Sequence, residues 1–289
     1  MMRMNRRAHL PVLAFLLSGC DNGTLTLSVA DAPIDDATQV VVQFSGVEVV
    51  DTDGNAHSFT LSPVVAPNLL STTGQSTVLL NKATLPAGDY KSIKLQVNAG
   101  STGQDSHINL LDGSVQALEL LDANAAGLTV PVAFHVTRRQ DIALTADLDL
   151  RKSVLKPDTT TSDPSYLFKP VVRIVENDLT GTLTGTASAT LLNTSGCTGS
   201  VHIAAVYVYS GSNVTPDDVG GTGAQPVASA IIPANTLSFT ATFLDPATYT
   251  AWLTCQASQD DPAVNDDITF VQKHEFTVTA GGTATVTFQ

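Results

Sequence analysis

Carboxylate and amide side chains cluster at two turns of the sequence, and calcium prefers such oxygen ligands. The denser cluster is QDDPAVNDD, where the candidate calcium ligands are Asp260, Asp261, Asp266 and Asp267. The other is DTDGN, with Asp51, Asp53 and Asn55. It lacks the spacing and the distal glutamate of an EF-hand loop, and a plain hairpin turn is the preferred explanation. We therefore keep calcium binding at QDDPAVNDD as a hypothesis, with a solvated acidic loop as the alternative, and no other cofactor is indicated.

Three aromatic side chains are candidates for a ligand-binding platform. Strand alternation in YTAWLTC places Trp252 among threonines, opposite the apolar residues. In VHIAAVYVY the same alternation puts Tyr207 and Tyr209 together on one face, which could be the face of Trp252. Exposed rings of this kind bind the apolar faces of sugars or anchor protein interfaces. The alternative is that these rings are buried, either between two domains or within a central strand.

The sequence contains no pattern typical of a catalytic site. The histidines downstream of residue 20 lie at least 28 positions apart, and HExxH and GxSxG are absent. Those histidines are His57, His107, His135, His202 and His274. We therefore expect separate surface or packing histidines and a protein that is not an enzyme. An envelope hydrolase whose acids converge only in the folded chain is the weakest alternative.

The first twenty residues have the layout of an export signal that ends at a lipid-attachment site. Three arginines precede the apolar run LPVLAFLL, with no acidic residue among them. The run spans about 8 residues, whereas a membrane-spanning helix needs about 20. The motif that follows resembles the lipobox of bacterial lipoproteins: Leu17, Ser18, Gly19 and Cys20. We expect residues 1–19 to be removed, Cys20 to be lipidated, and residues 20–23 to form a short tether to the inner or outer membrane.

The remaining cysteines and the charge agree with export to the periplasm or the cell surface. Cys197 and Cys255 are the two cysteines left, and in an oxidising compartment we expect them to form one disulfide. Removing residues 1–19 takes away three arginines and no acids, so the formal charge falls from −13 to −16. Nucleic acid is therefore excluded as a partner, because its phosphates would repel the protein. An envelope glycan or a protein partner remains compatible with this charge.

Short segments rich in Val, Thr, Ile and Leu alternate with Gly, Pro, Asp and Asn clusters, which predicts an all-β chain of antiparallel β-sandwiches. We predict a β-bulge at Ser45-Gly46, where the buried face of a long strand from Val40 switches phase, and a short helix within residues 68–80. Pro170 predicts an edge strand or a bulge. The segments LPAGDY and LDPATY each place a tyrosine after a proline turn. We expect both tyrosines to be structural.

Three segments in this order, DAPIDDATQVVVQFSGVEV, LPAGDYKSIKLQV and LFKPVVRIVE, resemble a family of bacterial lipoproteins called domain of unknown function 4382. The resemblance covers about residues 24–177 and implies a carbohydrate-binding-like β-sandwich, with no functional residue to transfer. Residues 178–289 resemble prealbumin-like or carboxypeptidase-regulatory-like sandwiches, through GTLTGTASATLL, LSFTATFLDPATYTAWL and FTVTAGGTATVTF. The resemblance therefore implies two immunoglobulin-like or carbohydrate-binding-like sandwiches, at 24–177 and 178–289.

These observations predict a lipid-anchored envelope protein that acts as a structural or recognition module. The alternative is a carbohydrate-binding lipoprotein that uses Trp252, Tyr207 and Tyr209. An exposed aromatic row would favour this alternative, and burial of the rings would count against it.

Overall fold

In a computed structural model, the described residues are 21–32, 34, 37–72, 75–100, 105–120, 127–157, 165–195, 197 and 203–289. The predicted lipobox, residues 17–20, and His202 lie outside them. The described chain consists mostly of strands, so the prediction of an all-β fold is confirmed. No helix in this part of the chain has both the length and the apolar character needed to cross a bilayer.

Thirteen strands and three short helical turns span the first part of the described chain. The strands are β1 (Asn22–Ala32), β2 (Ala37–Val41), β3 (Gln43–Asp51), β4 (Ala56–Val65), β5 (Thr77–Pro86), β6 (Gly88–Asn98), β7 (His107–Leu110), β8 (Val115–Leu120), β9 (Leu128–Val136), β10 (Asp141–Asp149), β11 (Val154–Leu155), β12 (Tyr166–Phe168) and β13 (Val172–Glu176). Helix α1 is Leu150–Ser153, and 3₁₀ turns lie at Leu69–Thr72 and Asn177–Leu179. Only the turn at Leu69–Thr72 represents the short helix predicted within residues 68–80.

The described residues between 22 and 176, called the N-terminal half, form three sheets around one apolar core. Their strand orders are β13-β10-β1-β5, β4-β3-β6-β9 and β11-β12-β8-β7-β2. On β10, Leu144, Ala146 and Leu148 are buried in that core, and Asp147 and Asp149 lie on the opposite face. Each fully buried leucine of this kind stabilises the fold by roughly 1.5–3 kcal/mol. Strand β10 runs parallel to β1 at the centre of its sheet.

The bulge predicted at Ser45-Gly46 is confirmed, since the register of β3 shifts there against both of its neighbours. Glycine suits position 46 because a Cβ atom would displace the end of the Gln96 side chain and approach the Phe59 carbonyl oxygen to 3.1 Å. The long strand predicted from Val40 is divided, however, because β2 and β3 belong to different sheets. The chain passes between those sheets at Val42, which is fully buried.

The segment around Pro170 is divided in the same way. Strands β12 and β13 flank residues 169–171 and belong to different sheets, and β13 is outermost in its sheet among the described residues, as the proline predicts. Proline has no N–H, whereas the amides of Lys169 and Val171 donate to the carbonyl oxygen and the hydroxyl of Ser153 at 2.8 and 2.9 Å. Proline is therefore tolerated where the chain passes from one sheet to the other, because the residues before and after it make the hydrogen bonds.

Residues 181–289, the C-terminal half, form two further sheets with a second apolar core. The elements are β14 (Gly181–Ala187), α2 (Ala189–Thr194), β15 (Ala205–Ser210), β16 (Ala228–Ile231), β17 (Ser238–Leu244), β18 (Thr248–Thr254), a 3₁₀ turn (Ala257–Gln259), β19 (Phe270–Thr277) and β20 (Thr283–Phe288). Strand orders are β17-β14-β20 and β16-β15-β18-β19. The Ser188 hydroxyl caps α2 by accepting from the Leu191 amide at 3.1 Å.

The two tyrosines predicted to be structural make the same contacts in the two halves. Tyr90 donates to the Pro86 carbonyl oxygen at 2.8 Å, and Tyr249 donates to the Asp245 carbonyl oxygen at 2.7 Å. Each ring also stacks on a phenylalanine of the neighbouring strand, at 5.1 and 5.5 Å between ring centres. Each tyrosine thus ties the turn before its strand to the sheet that follows.

Candidate functional site

The predicted disulfide is present between Cys197, just after α2, and Cys255, at the end of β18, with Cα atoms 4.7 Å apart. The two cysteines are 58 positions apart. Closing a loop of that length removes chain entropy from the unfolded state worth about 4 kcal/mol. The disulfide therefore fixes the α2 segment to the larger sheet of the C-terminal half.

The three predicted platform aromatics share one face, but they do not form an exposed row. Tyr207 pairs directly with Trp252 across β15 and β18, and these rings join Tyr209 in one cluster. Tyr207 is 0% exposed, Tyr209 is 1% exposed and Trp252 is half-buried. The candidate platform is therefore not exposed, and the alternative stated for these residues, burial of the rings, describes Tyr207 and Tyr209. The physical reason is that the long connections at 211–227 and 255–269 fold over this face and contribute Val219 and Ala257 to its cover.

Hydrogen bonds from the aromatic side chains hold these two connections in place. Tyr209 donates to the Asp217 carbonyl oxygen at 2.6 Å, and Trp252 Nε1 donates to the Val214 carbonyl oxygen at 2.9 Å. Tyr207 donates to Asp260 Oδ2 at 2.5 Å. Burial raises the pKa of Tyr209 far above its ordinary value, and the nearby carboxylates raise it further. Tyr209 therefore acts as a neutral donor, and the three hydrogen bonds join the strands to the connections above them.

Three carboxylates converge where the two connections meet. One oxygen from each of Asp218, Asp260 and Asp266 lies within 4.8 Å of the others. Asp260 and Asp266 are among the calcium candidates of the sequence, whereas Asp261 and Asp267 are not part of this group. The Asp261 carboxylate instead accepts from the Ala263 amide at 2.9 Å, in its own turn. Asp218 was not predicted as a member of this group, because it lies 42 positions before Asp260.

Two members of this carboxylate cluster are buried, and burial perturbs their acidity. Asp218 is 1% exposed and Asp260 is 8% exposed. Burial raises the pKa of Asp260 to about 6, although hydrogen bonding from Tyr207 and the charge of Arg151 oppose the rise. Burial also raises the pKa of Asp218. Asp218 Oδ2 and Asp266 Oδ2 accept backbone amides at 2.7 and 2.6 Å. Asp218 Oδ1 is buried and has no hydrogen-bond donor in the described structure.

The second calcium candidate, DTDGN, is a hairpin turn between β3 and β4. Asp51 accepts from the Asn55 amide at 2.7 Å and from the Asn55 side chain at 2.9 Å. The hydrogen bond from the Asn55 side chain lowers the pKa of Asp51 most, and the bond from the Asn55 amide lowers it further. The alternative stated for this sequence, a structural turn, thus accounts for its polar residues.

Arg151 in α1 joins the N-terminal half to the C-terminal half. It is 5% exposed, its guanidinium lies 5.5 Å from the centre of the Tyr207 ring, and its Nη1 donates to the Ala257 carbonyl oxygen at 2.9 Å. The neighbouring Lys152 donates to the Pro226 carbonyl oxygen and pairs with Asp149 at 2.8 Å. A buried cation from one half therefore sits against the aromatic cluster and the carboxylates of the other.

A cleft of about 290 Å³ lies beside this contact, between the two halves. Five strands contribute to its lining, and three of them are outermost in their sheets among the described residues: β13, β16 and β17. The other two, β1 and β10, lie in the interior of their sheet and contribute the side chains of Asp31, Asp147 and Asp149. Two ion pairs line one wall, Lys152 with Asp149 and Arg173 with Asp147, the latter at 2.7 Å. The opposite wall includes Ser229, whose buried hydroxyl has no hydrogen-bond partner in the described part of the chain.

These features define a protein of two β-sandwich-like halves with a polar cleft between them. The profile of the family described as domain of unknown function DUF4382 matches residues 22–170, which is more than half of the chain. The chain therefore belongs to the DUF4382 family. The match includes α1 with Arg151 and ends just before β13.

Other comparisons give distant likenesses. No curated protein matches the sequence. The Bacillus anthracis TIE protein is 14% identical, with a TM-score of 0.23, and the match covers 93% of this chain but 34% of that protein. A streptococcal ancillary pilin is 10% identical over 92% of this chain and 68% of its own, with a TM-score of 0.23. The minor pilin GBS52 of Streptococcus agalactiae is 11% identical over 92% and 94%, with a TM-score of 0.21. All three TM-scores are far below 0.5, so these likenesses carry no functional weight.

Proposed function

We propose that this protein is a non-catalytic recognition module of the bacterial cell envelope, anchored by a lipid on Cys20, and that it binds an extended segment of a partner protein in the interdomain cleft. The observation that carries the proposal is that the lining of this cleft includes three strands that are outermost in their sheets among the described residues. An edge strand presents unpaired backbone N–H and C=O groups along one side, and an extended peptide can pair with them as an added strand.

The side chains of the cleft also favour a peptide over a strongly charged ligand. Asp147 and Asp149 are already paired with Arg173 and Lys152, so their charges are largely satisfied within the wall. The Ser229 hydroxyl is buried without a partner, and a buried polar group of this kind gains a hydrogen bond when a polar ligand arrives. Backbone groups and hydroxyls therefore supply most of the recognition.

Proposed lipid anchoring rests on the lipobox and is tested separately from ligand binding. Cys20→Ala removes the lipidated thiol, so the variant should be recovered as folded, soluble protein instead of in the membrane fraction. Metabolic labelling with a fatty-acid analogue should mark the wild-type chain and not the variant. A Cys20→Ala chain that stays in the membrane fraction would remove the anchor from the proposal.

Ligand binding is tested by cross-linking from the cleft in living cells. A photo-cross-linking amino acid at Thr242, whose side chain is half-buried in the cleft, should capture a peptide of a partner protein that mass spectrometry can identify. Adding Thr240→Trp fills the cleft without changing the buried Ala241 and should abolish the cross-link. Thr287→Trp, on the exposed face of β20, is the matched control and should leave it intact. A cross-link that survives Thr240→Trp, or one to a glycan, would contradict the peptide assignment.

A further inference from the structure

We propose that Asp218, Asp260 and Asp266 form a calcium site that fastens the connection at 211–227 to the connection at 255–269. The separations among the three oxygens, all within 4.8 Å, suit one ion. Calcium binds oxygen at about 2.3–2.6 Å, so two oxygens on the same ion are at most about 5 Å apart. The three carboxylates are therefore already gathered within the span of a single coordination sphere.

An independent observation at Asp218 points to a ligand. Its side chain is almost fully buried, and its Oδ1 has no hydrogen-bond donor among the residues that the structure describes when Asp218 and the adjacent Asp217 are both ionised. A buried carboxylate oxygen without a donor is costly, by roughly 1–3 kcal/mol or more for a charged group. A cation at the centre of the cluster would provide the missing interaction.

The side chains around the three carboxylates are mostly negative, as a cation site requires. Asp217 adds a fourth carboxylate next to the cluster, and its Oδ2 and Asp218 Oδ1 both press against Gly221, where a Cβ atom would collide with them. Arg151 is the basic group that acts on Asp260, from its place above Tyr207. Asp260 thus has one positive neighbour, whereas three further carboxylates lie beside it, and a divalent ion would offset much of this negative charge.

The donor set selects calcium over other biological cations. All three groups offer carboxylate oxygen, and the cluster includes neither histidine nor cysteine within the described chain, which favours hard cations over zinc or copper. Magnesium requires a nearly ideal octahedron, whereas calcium accepts irregular arrangements of six to eight oxygens. Carboxylates contributed by two separate loops match the requirement of calcium.

Such an ion would hold together the cover of the aromatic cluster. Asp218 belongs to the first connection, whereas Asp260 and Asp266 belong to the second, and both connections lie over Tyr207 and Tyr209. The Arg151 contact with Ala257 lies in the same region. Calcium binding should therefore stabilise the C-terminal half and, through Arg151, its contact with the N-terminal half. This inference is independent of any ligand in the cleft.

The experiment titrates the purified full chain, freed of metal by chelation, with calcium chloride in a calorimeter and follows thermal unfolding in parallel. We expect one calcium per chain, with Kd between micromolar and about millimolar, and a Tm increase of at least about 3 °C at saturating calcium. Terbium should bind the same site, show luminescence sensitised by the neighbouring tyrosines, and be displaced by calcium. Magnesium should give a markedly weaker effect.

Substitutions distinguish a specific calcium site from weak calcium binding to the acidic protein surface as a whole. Asp218→Asn preserves shape while removing charge and should weaken calcium binding about tenfold or more. The matched control Asp267→Asn removes the charge of an exposed neighbour outside the cluster and should bind as the wild type does. If Asp218→Asn does not fold, the half-buried Asp266→Asn replaces it. Absence of binding at millimolar calcium in the wild type, or equal binding by the cluster variants and the control, would overturn the proposal.

Discussion

Replacing Arg151 with alanine should weaken the connection between the two halves and lower the stability of the C-terminal half. The guanidinium loses a cation–π contact with Tyr207 and a hydrogen bond to the Ala257 carbonyl oxygen. A desolvated cation–π contact is worth about 1–2 kcal/mol, and a hydrogen bond from a charged donor about 1.5–3 kcal/mol. The carboxylate of Asp260 also loses its positive neighbour. We therefore expect Arg151→Ala to reduce the free energy of unfolding by about 3–5 kcal/mol.

The assay is urea unfolding monitored with two probes. The chain has a single tryptophan, Trp252, whose fluorescence reports on the C-terminal half, whereas far-ultraviolet circular dichroism reports on the strands of both halves. The two transitions should coincide in the wild type. In Arg151→Ala the fluorescence transition should move to lower urea and separate from the other, because the halves no longer support each other.

Two further variants define the cause of the loss. Arg138→Ala removes an exposed arginine that pairs with Asp21 at 2.8 Å, and it should change stability by less than about 1 kcal/mol. Arg151→Lys keeps the charge but not the planar guanidinium, so its stability should lie between those of the wild type and Arg151→Ala. If the two transitions of Arg151→Ala coincide, and its free energy of unfolding lies within about 1 kcal/mol of the wild-type value, then Arg151 does not link the two halves.

Three other outcomes follow from the same structure. Cys255→Ala should lower the free energy of unfolding by about 4 kcal/mol, measured by urea titration, and reduction of the wild type should reproduce most of the loss. Tyr249→Phe keeps the stacked ring but removes the hydrogen bond to the Asp245 carbonyl oxygen. It should lower the free energy of unfolding by about 1 kcal/mol, measured by urea titration, and an unchanged value would show that only the ring contributes. The pKa of Asp260 is raised to about 6 in the folded protein. In chelating buffer, protonation of this group therefore stabilises the fold fully below about pH 4, and this stabilisation is lost as the pH rises through about 6. The fall in Tm between about pH 5 and about pH 7.5 should thus be smaller in Asp260→Asn, and an equal fall would assign the pH dependence to other groups.

Features with a two-residue period were predictable from the sequence, because alternation on a strand determines which side chains are buried. The bulge at Gly46, the apolar face of β10 and the common face of Tyr207 and Trp252 were found in this way. The divided strand at Val42 was missed because Val40, Val42 and Phe44 are all buried, so the alternation continues unbroken from one sheet to the next.

The site itself was less predictable than the strands. The connections at 211–227 and 255–269 contain no regular period, so nothing in the sequence indicated that they cover the aromatic face. Asp218 joins Asp260 and Asp266 only through the tertiary fold. Arg151 is one of two adjacent basic residues in a four-residue helix, and neither its burial nor its contact with Tyr207 leaves a local pattern. Long-range contacts of this kind depend on how the loops fold.

The placement of β1 has a mechanical consequence. This strand begins at Asn22 and lies in the interior of its sheet, with its backbone bonded to β10 from Thr24 to Ala32 on one side and to β5 on the other. A chain held at Cys20 and pulled through a bound partner would transmit tension along the axis of β1. Its hydrogen bonds run across that axis, so the load would fall on many of them together in shear. The strand that bears the tension first would therefore resist being peeled away one bond at a time.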